Sequence, residues 1–130
     1  MKIIILDDSM TVRLIISSLL EELKINEDEI YTFDNGYTAL DFIKINGADI
    51  IFSDINMPYM DGYEFASLVF EILPELKSSF FAVSGDESRD SFLKMKKSGV
   101  HRFVKKPINM EYFKHFVEPE ILKLRILESK

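Results

Sequence analysis

The chain of 130 residues contains no cysteine. Disulfides, thiolate metal sites and cysteine nucleophiles are therefore excluded, and a reducing compartment is allowed. Long hydrophobic runs are missing too. The N-terminal apolar stretch Ile3-Ile4-Ile5-Leu6 closes on Asp7 and Asp8, and it is far too short for a signal peptide or a membrane span. A basic surplus is also lacking. Asp and Glu number 22 against 16 Lys and Arg, a formal net charge of -6. General binding to nucleic acid or anionic membrane needs basic surface to displace counterions, so neither is expected as a partner. Repeats, low-complexity segments and a domain-separating linker are absent, and a cytoplasmic protein is expected.

What is present suits one ordinary globular domain, 47% apolar and 29% charged. Short apolar runs alternate with helical patterns. Ile3 to Leu6 reads as a strand buried on both faces. Val12, Ile15, Ile16, Leu19, Leu20 and Leu23 then recur at helical spacing, with Ser9 placed to cap. Ile30 to Phe33 predicts a second strand, Asp34-Asn35-Gly36 a turn, and Ala39, Leu40 and Ile43 a second helix ended by Asn46-Gly47. Ile50 to Ser53 predicts a third strand closed by Asp54. Residues 56–62, with Pro58, Asp61 and Gly62, predict a loop, and Asp61-Gly62 a plain turn.

A third helix carries Phe65, Ala66, Leu68, Val69 and Ile72 and is stopped by Pro74. Phe80 to Val83 predicts strand four, and Ser88 to Ser98 a short helix. Lys94, Lys96 and Lys97 in that helix suit its negative end, and Gly99 terminates it. Val100 to Val104 predicts a fifth, edge strand. A last helix starts near Asn109 and either kinks at Pro119 or stops there for a new one. Strand and helix alternating five times imply a doubly wound α/β fold, a parallel sheet with helices on both faces.

In open parallel sheets, sites form beyond the carboxyl ends of the strands. Asp7 and Asp8 follow strand one, Asp54 strand three, Ser84 ends strand four, and Lys106 follows strand five. Three carboxylates brought together repel one another, and a hard divalent cation such as Mg²⁺ relieves that repulsion. Lys106 adds positive charge and Ser84 a neutral donor, which together suit a transferring phosphoryl group. One carboxylate can then serve as nucleophile. Asp54 is the best placed, on a central strand beside the acidic pair. His101 and His115 have no second candidate ligand nearby and read as surface or packing residues.

The residues at these strand ends are Ile5-Leu6-Asp7-Asp8-Ser9, Ser53-Asp54-Ile55-Asn56-Met57-Pro58-Tyr59-Met60-Asp61-Gly62, Val83-Ser84-Gly85 and Phe103-Val104-Lys105-Lys106-Pro107. In this order they resemble the receiver domains of response regulators, of the CheY-like single-domain kind, over about residues 1–125. The resemblance implies a flavodoxin-like sheet of order 2-1-3-4-5. It implies a phosphorylation-dependent switch with Asp54 as phosphoacceptor. Asp8, Asp54 and the backbone carbonyl of Asn56 would hold Mg²⁺, and Asp7 would act through water. Lys106 would pair with the phosphoryl group, Ser84 would move toward it, and Phe103 would turn inward into the space Ser84 vacates. The Lys106-Pro107 peptide would be cis.

The same resemblance implies a histidine kinase or phosphotransfer protein as donor and a downstream protein as target, the chain being a monomer or weak homodimer. Such a protein promotes its own phosphorylation and dephosphorylation without being a metabolic enzyme. It would be a chemotaxis-type diffusible regulator or a phosphorelay intermediate. Two positions depart from the family pattern: Ser84 stands where threonine is usual, and Phe103 lacks a tyrosine's hydroxyl. Residues 119–130 are expected as a helical extension or the end of the last helix.

Other classes fit less well. A flavodoxin-type phosphate binder needs a phosphate-cradling loop after strand one, where Asp7-Asp8 would repel the anion. An aspartyl-phosphate hydrolase usually has an acid two residues after the nucleophile, where this chain has Asn56. A degenerate receiver acting as scaffold or phosphate sink is opposed by the intact acidic set and Lys106.

Overall fold

The computed structural model of the chain describes residues 1–86 and 88–129. Five strands, β1 (Ile3–Leu6), β2 (Ile30–Phe33), β3 (Ile50–Asp54), β4 (Phe80–Ser84) and β5 (Arg102–Lys105), alternate with five α-helices. These are α1 (Met10–Glu22), α2 (Gly36–Asn46), α3 (Gly62–Ile72), α4 (Arg89–Lys97) and α5 (Met110–Glu128). Short 3₁₀ turns at Glu27–Glu29 and Pro74–Ser78 precede β2 and β4, and neither is anticipated by the sequence pattern. All strand pairs are parallel, in the order β2-β1-β3-β4-β5, the expected flavodoxin-like arrangement. No helix among the described residues is long and apolar enough to cross a membrane.

The period of two along a strand divides the core. Ile4, Leu6, Ile51, Phe80 and Ala82 face α2 and α3, where Ala39, Ile43, Phe65 and Val69 meet them. Ile3, Ile5, Ile50, Phe52, Phe81 and Val83 face α1 and α5, where Ile16, Leu20, Phe113 and Val117 close the second core. Phe52 sits between Phe81 and Phe113, with ring centroids 5.2 and 5.4 Å away. Each such side chain, taken fully out of water, contributes roughly 1.5–3 kcal/mol. Two complete apolar faces explain why the central strands read as continuous hydrophobic runs.

Every α-helix starts on a side-chain cap. Ser9, Asn35, Asp61, Ser88 and Asn109 each accept a backbone N–H from the first turn. This corrects two turn assignments. Asn35 and Asp61 are the caps of α2 and α3, and Gly36 and Gly62 are their first helical residues. β5 begins later than the sequence suggests. Gly99 has φ of 105°, and the Val100 N–H turns back to the Met95 carbonyl at 3.0 Å, so Val100 packs in the core rather than pairing in the sheet.

α5 runs through Pro119 as one helix. A proline there forfeits one helical hydrogen bond. The buried side of the helix holds it in place through Val117, Glu120 and Ile121, with Leu124 packed alongside. Glu120 is 3% exposed and accepts the Ser79 hydroxyl at 2.7 Å, with Arg102 Nη2 at 3.5 Å. Further along, Arg125 donates to both oxygens of Glu29, at 2.6 and 2.7 Å, and joins α5 to the turn before β2.

Candidate functional site

Parallel strands end at one edge of the sheet, and the polar residues that follow them collect there. Asp7 leaves β1 with its N–H still paired to the Phe33 carbonyl at 3.1 Å. Its Oδ1 accepts the Ser9 N–H at 2.9 Å, and its own carbonyl accepts Arg13 Nη1 at 2.7 Å. The side chain is thereby buried, while Asp8 beside it is exposed. Asp54 is the last residue of β3, paired with Val83, and is 6% exposed. The Ile55 N–H donates to Asp54 Oδ1 at 2.8 Å. Carboxylate oxygens of Asp7, Asp8 and Asp54 all lie within 4.8 Å of one another.

Lys106 reaches into this cluster from the end of β5. Its ammonium is 2.9 Å from Asp7 Oδ2 and 3.3 Å from Asp54 Oδ1. Its backbone N–H donates to the Ser84 carbonyl at 2.9 Å, and the following Lys106-Pro107 peptide is cis, as expected. Burial alone would lower the Lys106 ammonium, but the Asp7 and Asp54 carboxylates outweigh it and hold the group above its ordinary value. Asp54 moves the other way. Burial, reinforced by the Asp7 charge and only partly offset by Lys106, pushes its carboxyl up to about 6.

Three carboxylates against one ammonium leave two negative charges uncompensated. Asp7 Oδ2 is buried and, among the described residues, has no aligned hydrogen bond; its contact with Lys106 is an ion pair only. An all-oxygen donor set with surplus negative charge and a buried oxygen free to accept fits a hard divalent cation. Asn56, two residues past Asp54, is exposed on the loop beside the cluster.

Ser84 closes β4 at the same edge, where its Oγ accepts the Asp86 N–H at 2.9 Å. Phe103 lies on β5, half-buried, with its ring 5.0 Å from that of Phe92 on α4. Between them is an open cleft of about 480 Å³, lined by Ile55, Ser84, Asp86, Arg89, Phe92 and Phe103. Asp7, Asp8, Asp54 and Lys106 thus form one cluster, and Ser84 and Phe103 line the cleft that adjoins it. His101 and His115 are both exposed, away from the cluster.

Three contributors to the site are not singled out by the sequence pattern. Arg13 anchors the Asp7 backbone, and the Ile55 N–H orients Asp54. The third is Gly62. A Cβ there would stand 2.3 Å from the Asp54 carbonyl oxygen and 2.7 Å from Ile55 Cα, so only glycine lets α3 start this close to Asp54.

Similarity to known proteins identifies the family and the fold. The family model for the response regulator receiver domain matches residues 3–118. A chemotaxis protein CheY of Pseudomonas aeruginosa is 32% identical over 123 residues, covering 91% of this chain and 94% of that protein. The solved structure of the Vibrio cholerae chemotaxis protein CheY4 superposes with a TM-score of 0.74 at 27% identity, covering 95% of this chain and 93% of that one. The receiver domain of a Pseudomonas aeruginosa sensor histidine kinase, solved with magnesium coordinated in its active site cleft, shares the fold. Its TM-score is 0.79 at 16% identity, over 92% of this chain and 96% of that one.

Proposed function

Because this chain belongs to the response regulator receiver domain family, we propose that it is a phosphorylation-dependent switch whose phosphoacceptor is Asp54. The observation that carries the proposal is the Asp7, Asp8, Asp54 and Lys106 cluster, closed around a buried carboxylate at the end of a central strand. Asp8, Asp54 and the Asn56 carbonyl would hold Mg²⁺, and Asp7 would act through water. The cation supplies positive charge that offsets carboxylate repulsion and the charge of the incoming phosphoryl oxygens.

The protein's own groups position the transfer. Both described contacts of Asp54, to the Ile55 N–H and to Lys106, fall on Oδ1, which leaves the lone pairs of Oδ2 to attack phosphorus. One Oδ2–P bond forms while the donor's N–P bond breaks, and the leaving imidazole takes up a proton. Lys106, already protonated and held by Asp7, pairs with a phosphoryl oxygen as charge builds there. The Ser84 hydroxyl, engaged with the loop at Asp86, turns to donate to another. Phe103 then enters the space that Ser84 leaves, and its contact with Phe92 loosens, which changes the surface of α4, β5 and α5 that a downstream protein reads.

The donor is a histidine kinase or a phosphotransfer protein, and the setting is cytoplasmic. Incubation with acetyl phosphate should label the protein in an acid-stable, alkali-labile form when Mg²⁺ is present. EDTA or Asp54→Asn should remove the label. A label that persists in Asp54→Asn overturns the proposal.

A further inference from the structure

The peptide that joins Asp7 to Asp8 is held from α1. Asp7 lies just past the end of β1, where the sheet no longer supplies a partner for its carbonyl. Asp7 is 1% exposed, and a buried carbonyl needs a donor. That donor is Arg13, whose Nη1 is 2.7 Å from the Asp7 carbonyl oxygen. The opening of α1 places it. The Arg13 N–H donates to the Ser9 carbonyl at 3.1 Å, and the Ser9 hydroxyl caps the same turn by accepting the Val12 N–H at 3.3 Å. The side chain thus folds back from a capped turn onto the residue two before the cap.

Both members of the acidic pair feel this contact. A peptide unit is planar, so a fixed carbonyl oxygen also fixes the next Cα. On its other side Asp7 is fixed by its N–H to the Phe33 carbonyl at 3.1 Å. Asp7 and the root of the Asp8 side chain are thereby set against Asp54, with carboxylate oxygens of all three within 4.8 Å of one another. The bond is charge-assisted, the stronger kind, and it occupies a backbone oxygen rather than a carboxylate oxygen. Resting on the reading of this cluster as a Mg²⁺ site, we infer that Arg13 is its positioning residue. Its guanidinium holds the Asp7–Asp8 peptide so that the cation meets carboxylates already in place. The charge of Arg13 acts the opposite way. A positive group beside the cluster repels Mg²⁺, so removing charge alone would tighten binding. The sign of the change separates the two effects.

The test is a titration of the full chain, freed of metal by EDTA and dialysis, with MgCl₂ from about 0.1 to 50 mM, followed by amide chemical shifts. Arg13→Met keeps the aliphatic stem and removes the donor. It should raise the Kd for Mg²⁺ about tenfold, as loss of a group that orients metal ligands does. It should also speed hydrogen exchange of the Ser9 N–H, which reports on the Asp7 carboxylate, while the Ile55 N–H on Asp54 keeps its protection. Arg13→Lys retains a charged donor for the single carbonyl and should bring the Kd back to within about threefold of the wild type. An Arg13→Met protein that binds Mg²⁺ as well as the wild type, or more tightly, overturns the proposal. So does an Arg13→Lys protein that binds as weakly as Arg13→Met while both melt like the wild type in EDTA. A wild type with no Mg²⁺ response at all overturns the metal reading itself, and this proposal with it.

Discussion

Replacing Asp54 with asparagine should make the metal-free protein more stable. The substitution keeps the shape and removes the charge. In the folded chain the Asp54 carboxyl is pushed from 3.8 up to about 6 by burial and by Asp7. Each pH unit of that rise is worth about 1.4 kcal/mol, which sets a ceiling of about 3 kcal/mol on the cost of an ionised Asp54 at neutral pH. Lys106 loses one of its two ion-pair partners in the variant, so a gain of about 1–3 kcal/mol is expected. In a domain of this size that raises Tm by about 3–10 °C. The sign with pH follows from the direction of the rise. Because the folded carboxyl titrates above the unfolded one, the penalty is complete above about pH 7 and fades as pH falls through 6. It vanishes below about pH 4, where both states are protonated. Thermal melts followed by circular dichroism in EDTA, for both proteins from about pH 4 to 8, should therefore show a gap that is widest at neutral pH. An Asp54→Asn protein that melts at or below the wild type at neutral pH would refute the reasoning, and so would a gap that widens as the pH falls.

Other changes have equally specific expectations. Gly62→Ala should cost about 1–3 kcal/mol, because the new Cβ must push the Asp54–Ile55 backbone aside. It should also slow labelling by acetyl phosphate up to about a hundredfold through misplacement of Asp54; wild-type melting and labelling would contradict the close approach. Ile121→Ala, at a position 3% exposed, should cost about 2–4 kcal/mol in denaturant unfolding, while Leu122→Ala, 56% exposed, should stay within about 0.5 kcal/mol. Arg125→Ala should cost about 1 kcal/mol near neutral pH. Its partner Glu29 is held down to about 2 by the Arg125 hydrogen bonds, so that contribution persists above about pH 5 and is lost as pH falls through 2. Equal stability of Arg125→Ala and wild type at pH 7 would show that the pair contributes nothing.

Much of this fold and site is legible in the sequence. Ile3–Leu6 and the run Ile50-Ile51-Phe52 announce themselves because strands buried on both faces are apolar along their buried length. Once the sheet is parallel, the residues after each strand must gather at one edge, and that is how Asp7, Asp8, Asp54, Ser84 and Lys106 could be picked from distant segments. The errors have a common cause. Asn35-Gly36 and Asp61-Gly62 have turn chemistry, yet an Asx residue before glycine also serves as a helix cap, and composition alone does not separate the two. Arg13 gave no signal, since its hydrogen bond goes to a backbone carbonyl. Glu120 looked like one more helical surface charge. Its burial depends on Ser79 and Arg102 arriving from two other segments, which is tertiary information. Proline at position 119 leaves a kinked continuation and a stop both open in the sequence; side-chain packing on both sides of it keeps α5 one helix.

The central claim is that a phosphoryl group is carried by Asp54. Its most direct test is to label the wild-type protein with acetyl phosphate and Mg²⁺, reduce the acyl phosphate with borohydride, and locate the resulting homoserine by peptide mass spectrometry. The modification is expected at position 54, the last residue of β3. Homoserine at Asp7 or Asp8 instead, or a phosphoryl group that survives reduction on Ser53 or Ser84, would contradict the assignment.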